Sequence, residues 1–209
     1  MVKKLSVMVT AVLASAFILA ACTATELEDR CFPMMAAVDY KDGQVDFAYG
    51  FPALSQKDST DLDAANVNVS MTAGGNFAES VRRYNQELNR LADCNHMKVL
   101  VFSTSFMGEK EQYDKMLSYL SKSEMFPRNT YVCVTDDIEA LFDVEESLSD
   151  DLGSYLESFL QKQEKEEEVK LLHLGKVLDE QVNRLENLQA PYLAVENDTI
   201  VLKPRYSMP

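Results

Sequence analysis

From Phe77 to Phe142 short apolar runs alternate with amphipathic stretches, and this alternation limits the fold more than any other feature of the chain. The run Val99–Phe102, inside "HMKVLVFSTS" (His96–Ser105), is unbroken by polar residues and too short for a helix. That pattern predicts a central strand covered on both faces. A second such run lies in "NTYVCVTDD" (Asn129–Asp137). Before the first run, Phe77, Val81, Tyr84, Leu88 and Leu91 recur at spacings of three and four, which places them on one helical face. Between the runs, a helix over about Lys110–Ser123 gathers Tyr113, Met116, Leu117 and Leu120. After the second, Ile138, Leu141 and Phe142 mark a short helix. Strand–helix–strand–helix connections favour parallel neighbours in an α/β layer.

The flanks add antiparallel pieces. "FPMMAAVDY" (Phe32–Tyr40) and "VDFAYGFP" (Val45–Pro52) are strand-like runs on either side of Asp42-Gly43. A two-residue turn needs positive φ, which Gly supplies, so these runs form a hairpin. "SQKDSTDLDA" (Ser55–Ala64) reads as a polar loop, and "ANVNVSMTA" (Ala65–Ala73) alternates as a further strand. Two more helices lie in "LGSYLESFLQKQEKEEEVKLLHLGKVLDEQVNRL", with "EKEEE" as a solvated joint. A last hairpin pairs Tyr192–Val195 with Ile200–Leu202 across Asn197-Asp198. The expectation is one α/β (α+β) domain over residues 31–209: a mixed β-sheet with an early antiparallel hairpin and helices packed on it.

The N-terminus decides where that domain lives. Lys3 and Lys4 precede "LSVMVTAVLASAFILAAC", an uncharged apolar run from Leu5 to Ala21 that ends at Cys22. A positive start followed by an apolar stretch is the layout of a secretory signal. The run is near the lower limit for a bilayer core of roughly 30 Å, which needs about 20 apolar residues. Leu19-Ala20-Ala21-Cys22 resembles the lipobox of bacterial lipoproteins. That likeness implies cleavage between Ala21 and Cys22 and acylation of the Cys22 thiol. Two acyl chains hold a protein stably at a membrane where one does not. Residues 1–21 are then a signal peptide and residues 22–30, "CTATELEDR", a lipidated tether. The plainer alternative is an uncleaved membrane helix ending in an incidental cysteine.

Composition removes several classes of function. A net charge of −14 gives no electrostatic attraction to nucleic acid or to anionic headgroups. The three other cysteines, Cys31, Cys94 and Cys133, form no CxxC. Cys133 lies in an apolar strand pattern and reads as a core residue, while Cys31 and Cys94 are a candidate disulfide. Of the two histidines, His96 sits where it can cap a helix or bond backbone, and His173 has no metal-ligand partner at helical spacing. The sequence holds no nucleophile elbow and no P-loop. Asp136-Asp137 and "EESLSDD" (Glu145–Asp151) lack the ladder and turn Gly of a calcium loop and read as helix caps and surface charge. No catalytic residue, metal site or cofactor is expected beyond the lipid on Cys22, and a wall hydrolase is the least favoured reading.

Several segments, in order, resemble the N-terminal domain of the C-subunit lipoproteins of spore germination receptors, the GerC type. After its lipidated Cys that family has a Trp-Asp-Arg-Arg-Glu-Leu-Asn-Asp kind of stretch; here Glu26, Leu27 and Asp29 of "TATELEDR" match, and the Trp and the basic pair do not. The family's Gly-Ile-Asp-Lys strand end resembles "MAAVDYKDG", through Val38, Asp39 and Lys41. "GGNFAES", "HMKVLVFS", "TYVCVTDDIEALFDVE", "SYLESFLQKQEK" and "LGKVLDE" follow in the family's order. The family's Gly-Glu after the central strand appears as "STSFMGE", spaced differently. Members carry further domains after this one, so an end at Pro209 reads as a free-standing first domain or a truncated paralogue.

The resemblance implies a non-enzymatic subunit on the extracytoplasmic face, beside integral membrane germinant-receptor subunits, acting by protein–protein interaction in germinant sensing. Within the family that face belongs to the spore inner membrane. The alternative is a lipid-anchored protein that binds a small molecule or wall fragment on its own.

Overall fold

The structure is a computed structural model that describes residues 30–52, 67–72, 77–88, 91–144, 148, 151–166, 170–183 and 188–209. The signal-like segment, Ala21, Cys22 and the 55–64 loop lie outside the described residues.

The strands are β1 (Arg30–Cys31), β2 (Met35–Lys41), β3 (Gln44–Gly50), β4 (Val67–Thr72), β5 (Leu91–Ala92), β6 (Val99–Ser103), β7 (Tyr131–Thr135), β8 (Gln189–Glu196) and β9 (Thr199–Ser207). Among the described residues the helices are α1 (Phe77–Leu88), α2 (Thr104–Gly108), α3 (Lys110–Lys122), α4 (Ile138–Asp143), α5 (Leu152–Lys165) and α6 (Leu174–Asn183). Seven strands form one mixed sheet in the order β4-β3-β2-β6-β7-β8-β9, and β1 pairs with β5 apart from it. The four central strands are parallel: β2 to β6, β6 to β7 and β7 to β8. Antiparallel hairpins close both sides, β2 with β3 and β8 with β9. The expected α+β domain with a mixed sheet is therefore the observed one.

β6 is the sequence's solid apolar run, and all five of its residues are buried. A strand in that position has helices over both faces, so it has no polar side to show. The two faces are two separate cores. On one, α1, α2, α3 and α6 cover Ala36, Val38, Phe47, Tyr49, Leu100, Phe102, Val132 and Val134. On the other, α4 and α5 cover Met35, Ala37, Ala48, Val99, Val101, Cys133 and Leu193. Each α3 position named by the spacing, Tyr113, Met116, Leu117 and Leu120, is buried on the first face.

Both hairpin turns use positive φ at both central residues. Asp42 and Gly43 have φ of 53° and 79°, and Asn197 and Asp198 have 51° and 57°. Such turns follow the right-handed twist of the strands they join. The last hairpin is longer than its expected core, reaching Gln189 on one strand and Ser207 on the other, with a register shift between Ala190 and Tyr192 at Pro191. Proline has no ladder donor, so a break in the register accommodates it.

Leu91 departs from expectation. It fits the α1 periodicity but lies in β5, 45 % exposed. The helix ends at Leu88, and Asn85 Oδ1 accepts a 2.8 Å hydrogen bond from the Ala92 amide, which turns the chain away.

Candidate functional site at the carboxyl edge of the sheet

Parallel strands bring their carboxyl ends to one edge, which is where open α/β sheets hold ligands. Here β2 contributes Asp39, β6 ends at Ser103 and leads into Thr104 and Ser105, and β7 leads into Asp136. These residues form two linked polar groups. Ser105 donates to Asp39 Oδ1 at 2.6 Å, and that same oxygen accepts from the Tyr40 amide at 2.7 Å. The Ser105 and Ser103 hydroxyls are 2.7 Å apart. Ser103 Oγ also accepts from the Phe106 amide at 3.0 Å and so caps α2. Thr104 Oγ1 donates to Asp136 Oδ1 at 2.6 Å, and the Tyr192 hydroxyl of β8 donates to Asp136 Oδ2.

The electrostatics follow from the donors. Hydrogen bonds from Thr104 and then Tyr192 hold the Asp136 carboxyl below its ordinary range. The same contact pushes the Tyr192 phenol up to about 12, because losing its proton would set two negative oxygens face to face. Beside this network Asp39 and Asp46 stand directly opposite on β2 and β3. Asp46 Oδ1 is buried with no hydrogen-bond partner. Lys41 pairs with Glu139 at 3.4 Å, and that hydrogen bond raises the lysine's pKa.

Hydroxyls beside carboxylates resemble parts of a nucleophilic site, but the base is elsewhere. A serine nucleophile needs a group that takes its proton near neutral pH, most often histidine. Both histidines lie at the opposite edge. His96 is in the 3-10 turn that precedes β6, where it meets Phe32 edge-on at 5.1 Å. His173 Nδ1 lies 3.0 Å from the Asn129 carbonyl, and its ring packs on Tyr131 at the start of β7. No group of three or more potential metal ligands occurs among the described residues. The parallel strands also advance in one direction across the sheet, without the reversal of order that opens a ligand crevice. The edge is thus a network of hydrogen bonds that ties β2, β6, β7 and β8 together.

The acidic clusters divide by role. Asp137 accepts from the Ala140 amide and caps α4, and Asp151 accepts from the Ser154 amide and caps α5, both at 2.9 Å. Those two are the expected helix caps. Asp136 is instead a cross-strand acceptor, which no local pattern announces because its donors lie 32 and 56 residues away. His96 does not cap its turn; Asp93 does, accepting from the Asn95 amide at 3.1 Å. Cys133 is fully buried in β7, as expected, and burial alone drives its thiol pKa upward. Cys31 and Cys94 are thiols and not a disulfide. The Cys31 thiol donates to the Tyr84 hydroxyl at 3.9 Å, and burial pushes the Cys94 thiol up to about 12.

Fold and edge together define a class: a small layered α/β domain with a hydrogen-bonded strand edge and, among the described residues, no catalytic constellation. Residues 23–195 match the family described as spore germination protein N-terminal domain. The chain belongs to that family, the first domain of the C subunit of spore germination receptors. No curated protein and no solved structure matches it. Among the described residues no helix is long and apolar enough to cross a membrane.

Proposed function

We propose that this protein is a lipid-anchored, non-enzymatic component of a spore germinant receptor, acting through contacts with integral membrane subunits. The observation that carries the reading is the place where the family match begins. It starts at residue 23, directly after Cys22 of the lipobox-like Leu19–Cys22. Signal peptide (1–21), lipidated tether (22–30) and α/β domain (31–209) then follow without a gap. The eight tether residues Thr23–Arg30 reach at most about 30 Å when fully extended, at roughly 3.3–3.6 Å each. Partners of the domain therefore lie in or close to the membrane, on its extracytoplasmic face. The acidic body has no electrostatic attraction to anionic headgroups, so the lipid on Cys22 does the anchoring.

The test is affinity purification of the tagged protein from spores, beside a Cys22→Ser variant. The expected result is recovery of multi-spanning membrane proteins with the parent, and release of the variant into the soluble fraction unacylated. Recovery of the parent alone, equally abundant in vegetative cells, would replace this reading with a solitary lipid-anchored protein that binds a small molecule or wall fragment.

A further inference from the structure

The chain joins the domain at the amino edge of the parallel strands. β1 pairs with β5 there, the Asp93 amide donates to the Cys31 carbonyl at 2.8 Å, and the Lys98 amide donates to the Met34 carbonyl at 2.8 Å. The junction is thus held against the start of β6. Leu91 lies in β5 beside it, and among the described residues it is the one large apolar side chain that is exposed, at 45 %. Its neighbour Ala92 turns inward and packs on the first core. Phe32, the residue after β1, is half-buried, and its ring meets the exposed His96 edge-on at 5.1 Å.

A single exposed leucine is ordinary by itself. The position of this one makes it informative, because the chain leads from the same place to Cys22. The eight residues Thr23–Arg30 reach at most about 30 Å, at roughly 3.3–3.6 Å each. The two edges of the sheet also differ in charge. The carboxyl edge exposes Asp42, Asp136, Asp137 and Asp198, beside the ion pairs Lys41–Glu139 and Lys203–Glu196. Among the described residues the amino edge comes closer to balance: Lys98 pairs with Glu157, Arg128 pairs with Asp179, and Lys122 is set against Asp93 and Glu124. An anionic lipid surface repels the first edge much more than the second. Leucine and phenylalanine side chains gain from partial burial at the boundary between headgroups and acyl chains.

We propose that the amino edge around β1 and β5 is the face the domain turns to the bilayer, with Leu91 and Phe32 at the headgroup boundary and the acidic carboxyl edge turned away. The inference rests on the lipid-anchor reading and adds to it which side of the domain meets the lipid. The hydrogen-bonded network of Asp39, Ser105, Thr104 and Asp136 then lies on the side away from the membrane.

The chain contains no tryptophan, so one introduced Trp is a unique reporter. The acylated protein is reconstituted in vesicles of equal parts phosphatidylcholine and phosphatidylglycerol whose acyl chains carry bromine, which quenches tryptophan on contact. Leu91→Trp reports on the amino edge. Gln44→Trp, at an exposed position of β3 beside the Asp42-Gly43 turn, reports on the other. The expected result is loss of most of the L91W emission and little loss from Q44W, each relative to the same vesicles without bromine. Equal quenching of the two, or stronger quenching of Q44W, in protein that floats with the vesicles would overturn the proposal and leave the anchor intact. Protein that carries no acyl chain and does not float would overturn the anchor and the orientation together. L91W emission that is unquenched in vesicles but shielded in membranes holding partner proteins would also overturn the proposal and assign Leu91 to a protein contact. If Leu91→Trp does not fold, Phe32→Trp takes its place with the same expected and overturning results.

Discussion

The two faces of the sheet solve one packing problem in opposite ways. The face under α1, α2, α3 and α6 is filled with rings. Phe102 stacks on Phe106 at 5.6 Å between centroids and meets Tyr113 edge-on at 5.8 Å, while Phe51 stacks on Tyr84 at 5.1 Å. The face under α4 and α5 is built mainly of aliphatic side chains, Leu141, Leu152, Leu156 and Leu160, set against Ala37, Ala48 and Cys133 on the strands, with Phe142 as the ring buried in it and Tyr155 and Phe159 at its margin. Small residues there let the helix come close. A Cβ built on Gly153 of α5 would lie 2.7 Å from the Met34 carbonyl carbon. Rings span a wide gap and leave a large hole when removed; a close-set helix has no room for one more carbon. The ring face should therefore be most sensitive to deletion, and the aliphatic face to addition.

The largest expected effect is deletion on the ring face. Phe106 is fully buried and touches both Phe102 and Tyr113 as a ring partner. Phe106→Ala should destabilise the domain by about 3–5 kcal/mol, read as a lower urea midpoint at unchanged slope. A loss under about 1 kcal/mol would mean the ring cluster collapses to fill the hole, and the contrast between the faces would fail. Next comes addition on the other face. The Gly153 clash is with backbone, which cannot swing aside as a side-chain tip can. Gly153→Ala should cost about 1–3 kcal/mol. Gly50 sharpens the point, because a Cβ there would meet Met35 and Phe142 at 3.4 and 3.5 Å, which is ordinary contact. Gly50→Ala should stay within about 0.5 kcal/mol of the parent. Equal losses at both glycines would show that the closeness belongs to the whole face and not to the approach of α5 to Met34.

How much of this was legible in the sequence depends on the range of the interaction. Val99–Phe102 and the α3 stripe were readable because burial imposes a period on neighbouring residues, and each fell where the pattern put it. The Asp42-Gly43 turn was readable because Gly tolerates its φ of 79°. Asn197-Asp198 makes the same turn without glycine, using residues whose short polar side chains tolerate left-handed backbone. Leu91 misled because periodicity cannot show that a helix has already ended. The division into a ring face and an aliphatic face was not legible, since it depends on which helix crosses which side. Nor were the Asp136 donors, because they come from elements brought together only by the fold. That both histidines fall at the edge away from the hydroxyls was not legible either, since it depends on which ends of β6 and β7 they lie beside.

The smallest expected effect tests whether the polar edge contributes to stability as the two cores do. Asp136 has its folded pKa below the ordinary 3.8, so its hydrogen bonds stabilise the fold above that value and are lost as pH falls through the folded pKa. Tyr192 runs the other way. Its folded pKa, about 12, stands above the ordinary 10.0, so its contribution is complete below pH 10.0 and disappears as pH rises through about 12. Asp136 is exposed and Tyr192 half-buried, and screening should hold the effect to about 1 kcal/mol or less. Tyr192→Phe removes the hydroxyl, and with it the one hydrogen bond that shifts both groups. The variant should be slightly less stable at neutral pH, and the difference from the parent should shrink on both the acid and the alkaline flank. Urea midpoints measured across that range give the answer. No difference at any pH would mean that Tyr192 contributes through its ring, which phenylalanine keeps and which lies 6.4 Å from that of Tyr206, and would leave the edge a surface feature without a share in stability.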